Sequence, residues 1–257
     1  MLLVIDIGNS FTKGALFFDG EAKAFFSFPS AVPHDPDALG STIAGKLGLD
    51  PNGKPGINGI AICSVVPQLT PLYYETAFDF FGIEPWQFDY NADIGMKNLY
   101  VRPDRTGPDR LANALAAKTN YGAPVVVVDM GTATKFDVVN GDGDFAGGAI
   151  APGIMSAAQE MFRKAAKLYP VELKKPDKII AIDTAPAMQS GIFWGAVGAI
   201  DFIIEGITAE LGLEKIRAVG TGGLAAAFRG HLTKVSDYDE HLTLKGIYLA
   251  FERNNQA

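Results

Sequence analysis

Two short segments carry residue types that could handle phosphate. Asp6-Ile7-Gly8-Asn9-Ser10, followed by Thr12 and Lys13, closes one apolar run, and Asp129-Met130-Gly131-Thr132-Ala133, followed by Thr134 and Lys135, closes another. Glycine lets the main chain bend close to a ligand, and the backbone N–H groups that follow can face an anion. Asn9, Ser10 and Thr12 add neutral donors, and the Lys13 ammonium could offset charge on β- and γ-phosphates. Asp6 would repel phosphate directly, so its sensible use is to hold Mg²⁺ beside the phosphate oxygens. The bland alternative is a hydrogen-bonded turn with no ligand. Asp129, Gly131, Thr132 and Thr134 would face the first turn across a cleft if the two halves are related by a pseudo-twofold, and ATP suits such a clamp.

Two glycine-rich stretches extend the set. Gly147-Gly148 through Gly153 and Thr221-Gly222-Gly223 each read as the opening of a helix, where close approach and the helix dipole favour a negative ligand. Gly148, Gly222 and Gly223 therefore join the candidate nucleotide contacts.

The elements that must position these turns also recur. Leu2–Ile5 and Val125–Val128 have the continuous apolar pattern of buried strands. Ala15-Leu16-Phe17-Phe18 leads through Asp19-Gly20 to Ala24–Phe28, and Phe136–Val139 leads through Asn140-Gly141 to Phe145-Ala146. Both dipeptides tolerate positive φ and predict hairpins. Each half then has a later strand, at 59–66 and 216–220, followed by a helix. Helical periodicity marks 111–118, 155–168 and 187–211. The pattern predicts an α/β fold of two related lobes, each a mixed sheet with flanking helices, divided as 1–118 and 119–257 near Tyr121-Gly122-Ala123-Pro124. Met188, Ile192, Phe193, Val197, Ile200 and Ile204 give the last helix a broad apolar face, which could serve a core or a dimer.

Composition narrows the partners. The 257 residues are 48% hydrophobic, enough for one large core or two modest ones, and a net charge of −7 with a pI near 5.0 argues against nucleic acid. Cys63 is the single cysteine, so no intrachain disulfide or cysteine-based zinc site can form, which suits a reducing cytosol. His34, His231 and His241 are far apart in sequence and read as surface residues. Asp6 interrupts the amino-terminal apolar run, against a signal peptide, and no apolar stretch is expected to reach the ~20 residues of a membrane span. A soluble, cytoplasmic protein with no membrane partner is expected.

In order along the chain, several motifs resemble the signature of type III pantothenate kinases, members of the acetate and sugar kinase, Hsp70 and actin superfamily. They are Asp6-x-Gly8-Asn9-Ser10 with Lys13, Gly107-x-Asp109-Arg110-x-x-Asn113, Asp129-x-Gly131-Thr132-Ala133-Thr134, Gly147-Gly148-x-Ile150-x-Pro152-Gly153, Thr184-x-x-Ala187-Met188-Gln189-Ser190-Gly191 and Thr221-Gly222-Gly223. The resemblance implies actin-like (ribonuclease H-like) lobes and ATP-dependent phosphorylation of pantothenate, the first step towards coenzyme A. It also implies Asp109 as general base, Arg110 on the pantothenate carboxylate, and Tyr100 and Gly107 beside the acceptor. Thr184 would come from the neighbouring subunit of a homodimer, and Asp129 would belong to a site for K⁺ or NH₄⁺. A plainer reading makes Asp109 and Arg110 a cap or pair on a helix starting near Leu111.

Some positions depart from the family pattern. Lys135 stands where a threonine is usual and could replace the monovalent cation or disturb its site; Arg102 and Asp183 each replace asparagine, Thr106 replaces a small apolar residue, and Pro186 is added. These departures keep two alternatives open: a kinase of the same fold for another small hydroxy acid, and a non-catalytic nucleotide-binding transcriptional accessory protein.

Overall fold

The amino-terminal apolar run is a strand whose Leu3, Val4 and Ile7 are buried, as expected where both sheet faces are covered. The computed structural model describes residues 1–31, 35–49 and 56–255, and His34 lies outside them. The chain forms two units, Met1–Ala116 with Leu242–Ala257, and Ala117–His241.

In the first unit, β1 (Leu2–Ile7), β2 (Phe11–Phe18) and β3 (Glu21–Pro29) form the antiparallel meander read from the sequence. Its second turn has Asp19 at φ 51° and Gly20 at φ 80°, the left-handed pair that Asp-Gly predicts. Next come α1 (Pro36–Lys46), capped by the Asp35 carboxylate, and β4 (Gly59–Ser64). Then α2 (Thr70–Glu75) runs into a π-helical turn at Thr76–Phe80, followed by β5 (Trp86–Phe88), a 3-10 turn at Pro103–Arg105, and α3 (Pro108–Tyr121), whose residues from Ala117 onward belong to the second unit. The sheet order is β3-β2-β1-β4-β5, with β4 parallel to both β1 and β5. Leu3, Ile5 and Ile7 pack with Leu39 and Ile43 of α1 and with Tyr73 and Ala77.

The second unit contains β6 (Val125–Met130), β7 (Ala133–Val139), β8 (Phe145–Pro152), α4 (Ile154–Lys164), α5 (Thr184–Glu210), β9 (Arg217–Thr221), α6 (Ala225–Phe228) and β10 (Asp237–Tyr238). Its order, β10-β9-β6-β7-β8, and its strand directions repeat those of the first sheet, strand for strand. The duplication seen in the motifs is thus a duplication of topology. One turn is longer than predicted: Asn140 N–H donates to Asp144 O at 3.0 Å, and the positive φ falls on Gly143 rather than on Gly141.

A second correction concerns Gly147-Gly148, which lie inside β8 instead of opening a helix; the residue that precedes α4 is Gly153. Gly148 has φ 146°, and a Cβ there would stand 1.7 Å from the Phe136 carbonyl oxygen. It serves the β7–β8 ladder, next to the register shift at Val138/Val139.

Along α5, Phe193, Val197, Ile200 and Ile204 pack against Val126, Val128, Met130 and Phe136, so this row is core. His231 is half-buried, its ring edge-on to Phe193 at 5.4 Å. The 27-residue α5, with a mean hydropathy of 1.5 over its most apolar window, is long and apolar enough to cross a membrane, contrary to the sequence expectation. Asp201, Glu205 and Glu210 are its only charges, so small and apolar residues dominate its average. Its buried row is that of a helix covering a sheet.

The closing helix, α7 (Leu242–Asn255), belongs to the first unit, whereas the expected division placed all of 119–257 together. Packing explains the difference. Leu242, Leu244, Ile247 and Ala250 are buried, Tyr248 stacks on Phe17 at 4.4 Å, and Phe251 meets Trp86 at 5.7 Å. The aromatic partners of this helix all lie more than 160 residues upstream, beyond the reach of local patterning.

Candidate active site

In the first unit the end of β1 delivers Asp6, opposite Lys13 on β2 and Cys63 on β4. The chain then turns sharply: Gly8 N–H donates to Phe11 O at 3.1 Å, and a Cβ on Gly8 would stand 2.9 Å from that oxygen. Asn9 and Ser10 are exposed at the tip, where a ligand can reach them. Thr12 is buried and does not present the phosphate donor expected of it. Its hydroxyl accepts from Tyr73 Oη at 2.8 Å and shares a hydrogen bond with Ser30 Oγ at 3.2 Å. Ser30 Oγ also donates to Gly8 O at 2.6 Å, and Ser30 N–H to Ser10 O at 3.0 Å. Burial raises the Tyr73 phenol pKa, so it remains a neutral donor. Ser30 and Tyr73 hold the turn in shape yet carried no local signal, because they lie 18 and 61 residues from Thr12.

The same unit carries Asp109 and Arg110 in the first turn of α3. That helix begins at Pro108, whose fixed φ suits a first helical position, so Asp109 is inside the helix and is not its cap. The dipole favours a carboxylate there. A Cβ on Gly107 would stand 2.6 Å from Asp109 Oδ1, so this glycine makes room for the carboxylate. Arg110 is only 4% exposed, and its Nη1 donates to Tyr100 Oη while the guanidinium lies 5.3 Å from the Tyr100 ring centroid. Asn98, missed in the sequence, ties this loop together. Its Nδ2 donates to the buried Thr106 Oγ1 at 3.0 Å, and its Oδ1 accepts from Tyr100 N–H at 3.2 Å. Arg102 is held by its neighbour Asp104 through two hydrogen bonds of 2.9 and 2.8 Å. Asn113 accepts from Thr243 Oγ1 at 2.8 Å, which links α3 to α7.

In the second unit, Asp129 stands opposite Lys135 on β7 and Thr221 on β9. Gly131 N–H donates to Ala133 O at 3.1 Å. A Cβ on Gly153 would stand 2.1 Å from Thr132 O, and Ser156 Oγ donates to that same oxygen at 2.9 Å. Gly222, at φ 92°, is pressed against the end of β6: a Cβ there would stand 2.5 Å from Asp129 Oδ1 and 2.7 Å from Met130 N. Beside it, Gly223 has open space. The fold thus gathers Asp129, Gly131, Thr132 and Gly222, while Gly148 pairs with Asp137 within the ladder. Thr134 shares the sheet face of Met130 and Phe136, opposite to Lys135. Its buried Oγ1 has no hydrogen-bond partner, and the residue lines a groove of about 750 Å³ together with Thr184, Ile154, Met161, Ile192 and Ile203. Thr184 is the exposed first residue of α5, and Asp183, in place of the usual asparagine, caps that helix by accepting from Thr184 N–H at 2.6 Å.

The donors differ in what they can hold. Among the described residues no three His, Cys, Asp or Glu side chains converge. A single carboxylate such as Asp6, completed by phosphate oxygens and water, nevertheless matches the usual way Mg²⁺ is held beside a nucleotide. Asp129 is different, because Lys135 Nζ lies 2.8 Å from its Oδ2, with the two side chains 17% and 14% exposed. A monovalent cation on that carboxylate, about 4 Å from the ammonium, would meet a like-charge repulsion of about 4 kcal/mol at an effective dielectric of about 20. The pair does not fit a bound K⁺.

Residues 2–206 match the family model described as type III pantothenate kinase. A type III pantothenate kinase of Agathobacter rectalis is 35% identical over 256 residues, spanning 100% of this chain and 98% of that protein. One from Roseiflexus sp. (strain RS-1) is 38% identical over 257 residues, spanning 99% of each. Among solved structures, a proposed Baf family transcriptional activator from Campylobacter jejuni aligns over 99% of this chain and 100% of its own, with a TM-score of 0.61 and 19% identity. The ethanolamine utilization protein EutJ from Carboxydothermus hydrogenoformans aligns over 96% of this chain and 88% of its own, with a TM-score of 0.53 and 15% identity. At such identities the structural neighbours speak for the fold alone, a pair of five-stranded mixed sheets.

Proposed function

The chain belongs to the type III pantothenate kinase family, and on that footing we propose that it phosphorylates pantothenate to 4'-phosphopantothenate with ATP, the first step of coenzyme A biosynthesis. The observation that carries the reading is Arg110: a nearly buried guanidinium, oriented by Tyr100, next in sequence to the Asp109 carboxylate. A planar cation of this kind suits a two-pronged grip on the pantothenate carboxylate, and a neighbouring carboxylate suits a primary alcohol.

In the proposed reaction the pantothenate hydroxyl gives its proton to Asp109 while its oxygen bonds to the γ-phosphorus. The bridging P–O bond breaks and ADP departs. Each unit's Asp-x-Gly turn is assigned to phosphate on its own geometry: Gly8, Asn9, Ser10 and Lys13 in one, Gly131, Thr132, Gly222 and Gly223 in the other. Mg²⁺, held through Asp6, would supply charge neutralisation on the phosphate oxygens. Positioning and electrostatics supply most of the rate in such transfers, so rigid turns and a fixed guanidinium are apt parts.

We also assign Thr184 to the acceptor pocket of a cytoplasmic homodimer. Two features support that assignment: Thr184 opens the apolar groove along α5, and only 17% of the helix's most apolar window is buried within the chain. The departures at Arg102 and Asp183 do not call for another acceptor, since one pairs with Asp104 and the other caps α5. A coupled assay for ADP release with ATP, Mg²⁺ and pantothenate tests the proposal, with other small hydroxy acids as competing acceptors. Turnover on pantothenate well above every alternative is expected, and turnover only on a different acceptor would overturn it.

A further inference from the structure

Resting on the reading that the Asp129 turn meets ATP phosphate, we propose that Lys135 is a built-in cation, so that nucleotide binding and turnover need no added K⁺ or NH₄⁺. The family resemblance implies a monovalent cation at Asp129, and the structure disagrees with it on three counts.

The first is the internal repeat. Asp6 and Lys13 face each other across β1 and β2 in the same register position as Asp129 and Lys135 across β6 and β7. Lys13 makes no ion pair among the described residues and is available to a ligand anion, whereas Lys135 is held 2.8 Å from Asp129. One motif, used twice, carries a lysine outside any ion pair among the described residues in one copy and a lysine paired with its facing aspartate in the other.

The second is the space around the carboxylate. Gly222 crowds Oδ1, as the 2.5 Å approach of a Cβ there shows, and Lys135 Nζ occupies the approach to Oδ2. A metal ion would have to displace one of them.

The third is charge. Asp129 beside an anion-binding turn needs a compensating cation, or it would repel the phosphate. Lys135 provides it from a strand already fixed by the ladder, and the buried Asp137 stands two residues further on the same face of β7. A counter-charge carried by the chain does not depend on salt composition.

The test compares Lys135→Thr with the wild-type protein at constant ionic strength in tetramethylammonium, Na⁺, K⁺ and NH₄⁺ chlorides. Calorimetry reads the affinity for Mg²⁺ and a non-hydrolysable ATP analogue, and ²⁰⁵Tl⁺ NMR reads monovalent-ion binding. Wild-type affinity and turnover are expected to agree within about twofold in all four salts, since screening is held equal. No saturable Tl⁺ binding is expected. Lys135→Thr is expected to lose on the order of tenfold in nucleotide affinity in tetramethylammonium, the worth of about one charge-assisted hydrogen bond, and to recover it in K⁺ or NH₄⁺. Tenfold activation of the wild type by K⁺, saturable Tl⁺ binding to it, or full affinity of the variant in tetramethylammonium would each overturn the proposal. The wild-type arms decide the matter if the variant does not fold. An absence of pantothenate turnover in every salt would count against the proposed function alone, because the binding arms need no acceptor.

Discussion

Gly246 of α7 lies so close to the main chain of α3 that a Cβ on it would stand 1.9 Å from the carbonyl oxygen of Ala112. The carboxyl-terminal helix thereby seats the helix that carries Asp109 and Arg110. In an isolated helix, glycine to alanine is stabilising by about 1 kcal/mol. Here the clash should win, with Gly246→Ala costing about 1–3 kcal/mol, a drop of several degrees in Tm. Thermal melts read the sign directly, and a raised Tm would mean that the two helices do not press together.

Asp109→Asn keeps the size of the side chain and removes its capacity to take a proton. Its kcat should fall by about 10²- to 10⁴-fold with ATP affinity unchanged. Steady-state rates and an ATP titration check both halves, and near-normal turnover would remove Asp109 from the chemistry.

Tyr100→Phe deletes the hydroxyl that accepts from Arg110 Nη1 but keeps the ring beneath the guanidinium. The KM for pantothenate should rise roughly tenfold with little change in kcat, as a lost hydrogen bond to a charged group implies. An unchanged KM would show that Arg110 needs no orientation by Tyr100.

Ser30→Ala removes the donor to Gly8 O and the hydroxyl beside Thr12. The expected cost is about 1–2 kcal/mol of stability, because partners are left unsatisfied under the turn, together with a higher KM for ATP. Denaturant unfolding and ATP kinetics would expose a turn that does not depend on Ser30.

Arg217 and Asp237 join β9 to the edge strand β10 through a 2.9 Å contact. Hydrogen bonding from Arg217, then from Ser236, lowers the Asp237 pKa below its ordinary value of 3.8. A folded-state pKa below the unfolded one gives stability that is present above the unfolded value and lost as pH falls through the folded one. The melting difference between Arg217→Met and the wild type should therefore be small at neutral pH, because the pair is solvent-screened, and should vanish as the pH falls through the lowered folded-state pKa of Asp237. A difference that persists in acid would assign the effect to packing of Arg217 on Tyr121.

The amino-acid sequence by itself determined the duplicated strand–turn units, the Asp19-Gly20 hairpin and the motif order that marks the family, because continuous apolar runs and turn chemistry act over a few residues. It also marked Asp109 and Arg110 as neighbours. Only the tertiary structure decided that α7 joins the first sheet, that Gly148 serves a ladder rather than a helix start, and that Thr12 points inward to Ser30 and Tyr73. The same holds for Lys135, whose pairing with Asp129 depends on the register of two strands. In each case the deciding partner is remote in sequence or lies across a sheet, and steric fit or charge pairing at that distance leaves no local pattern to read.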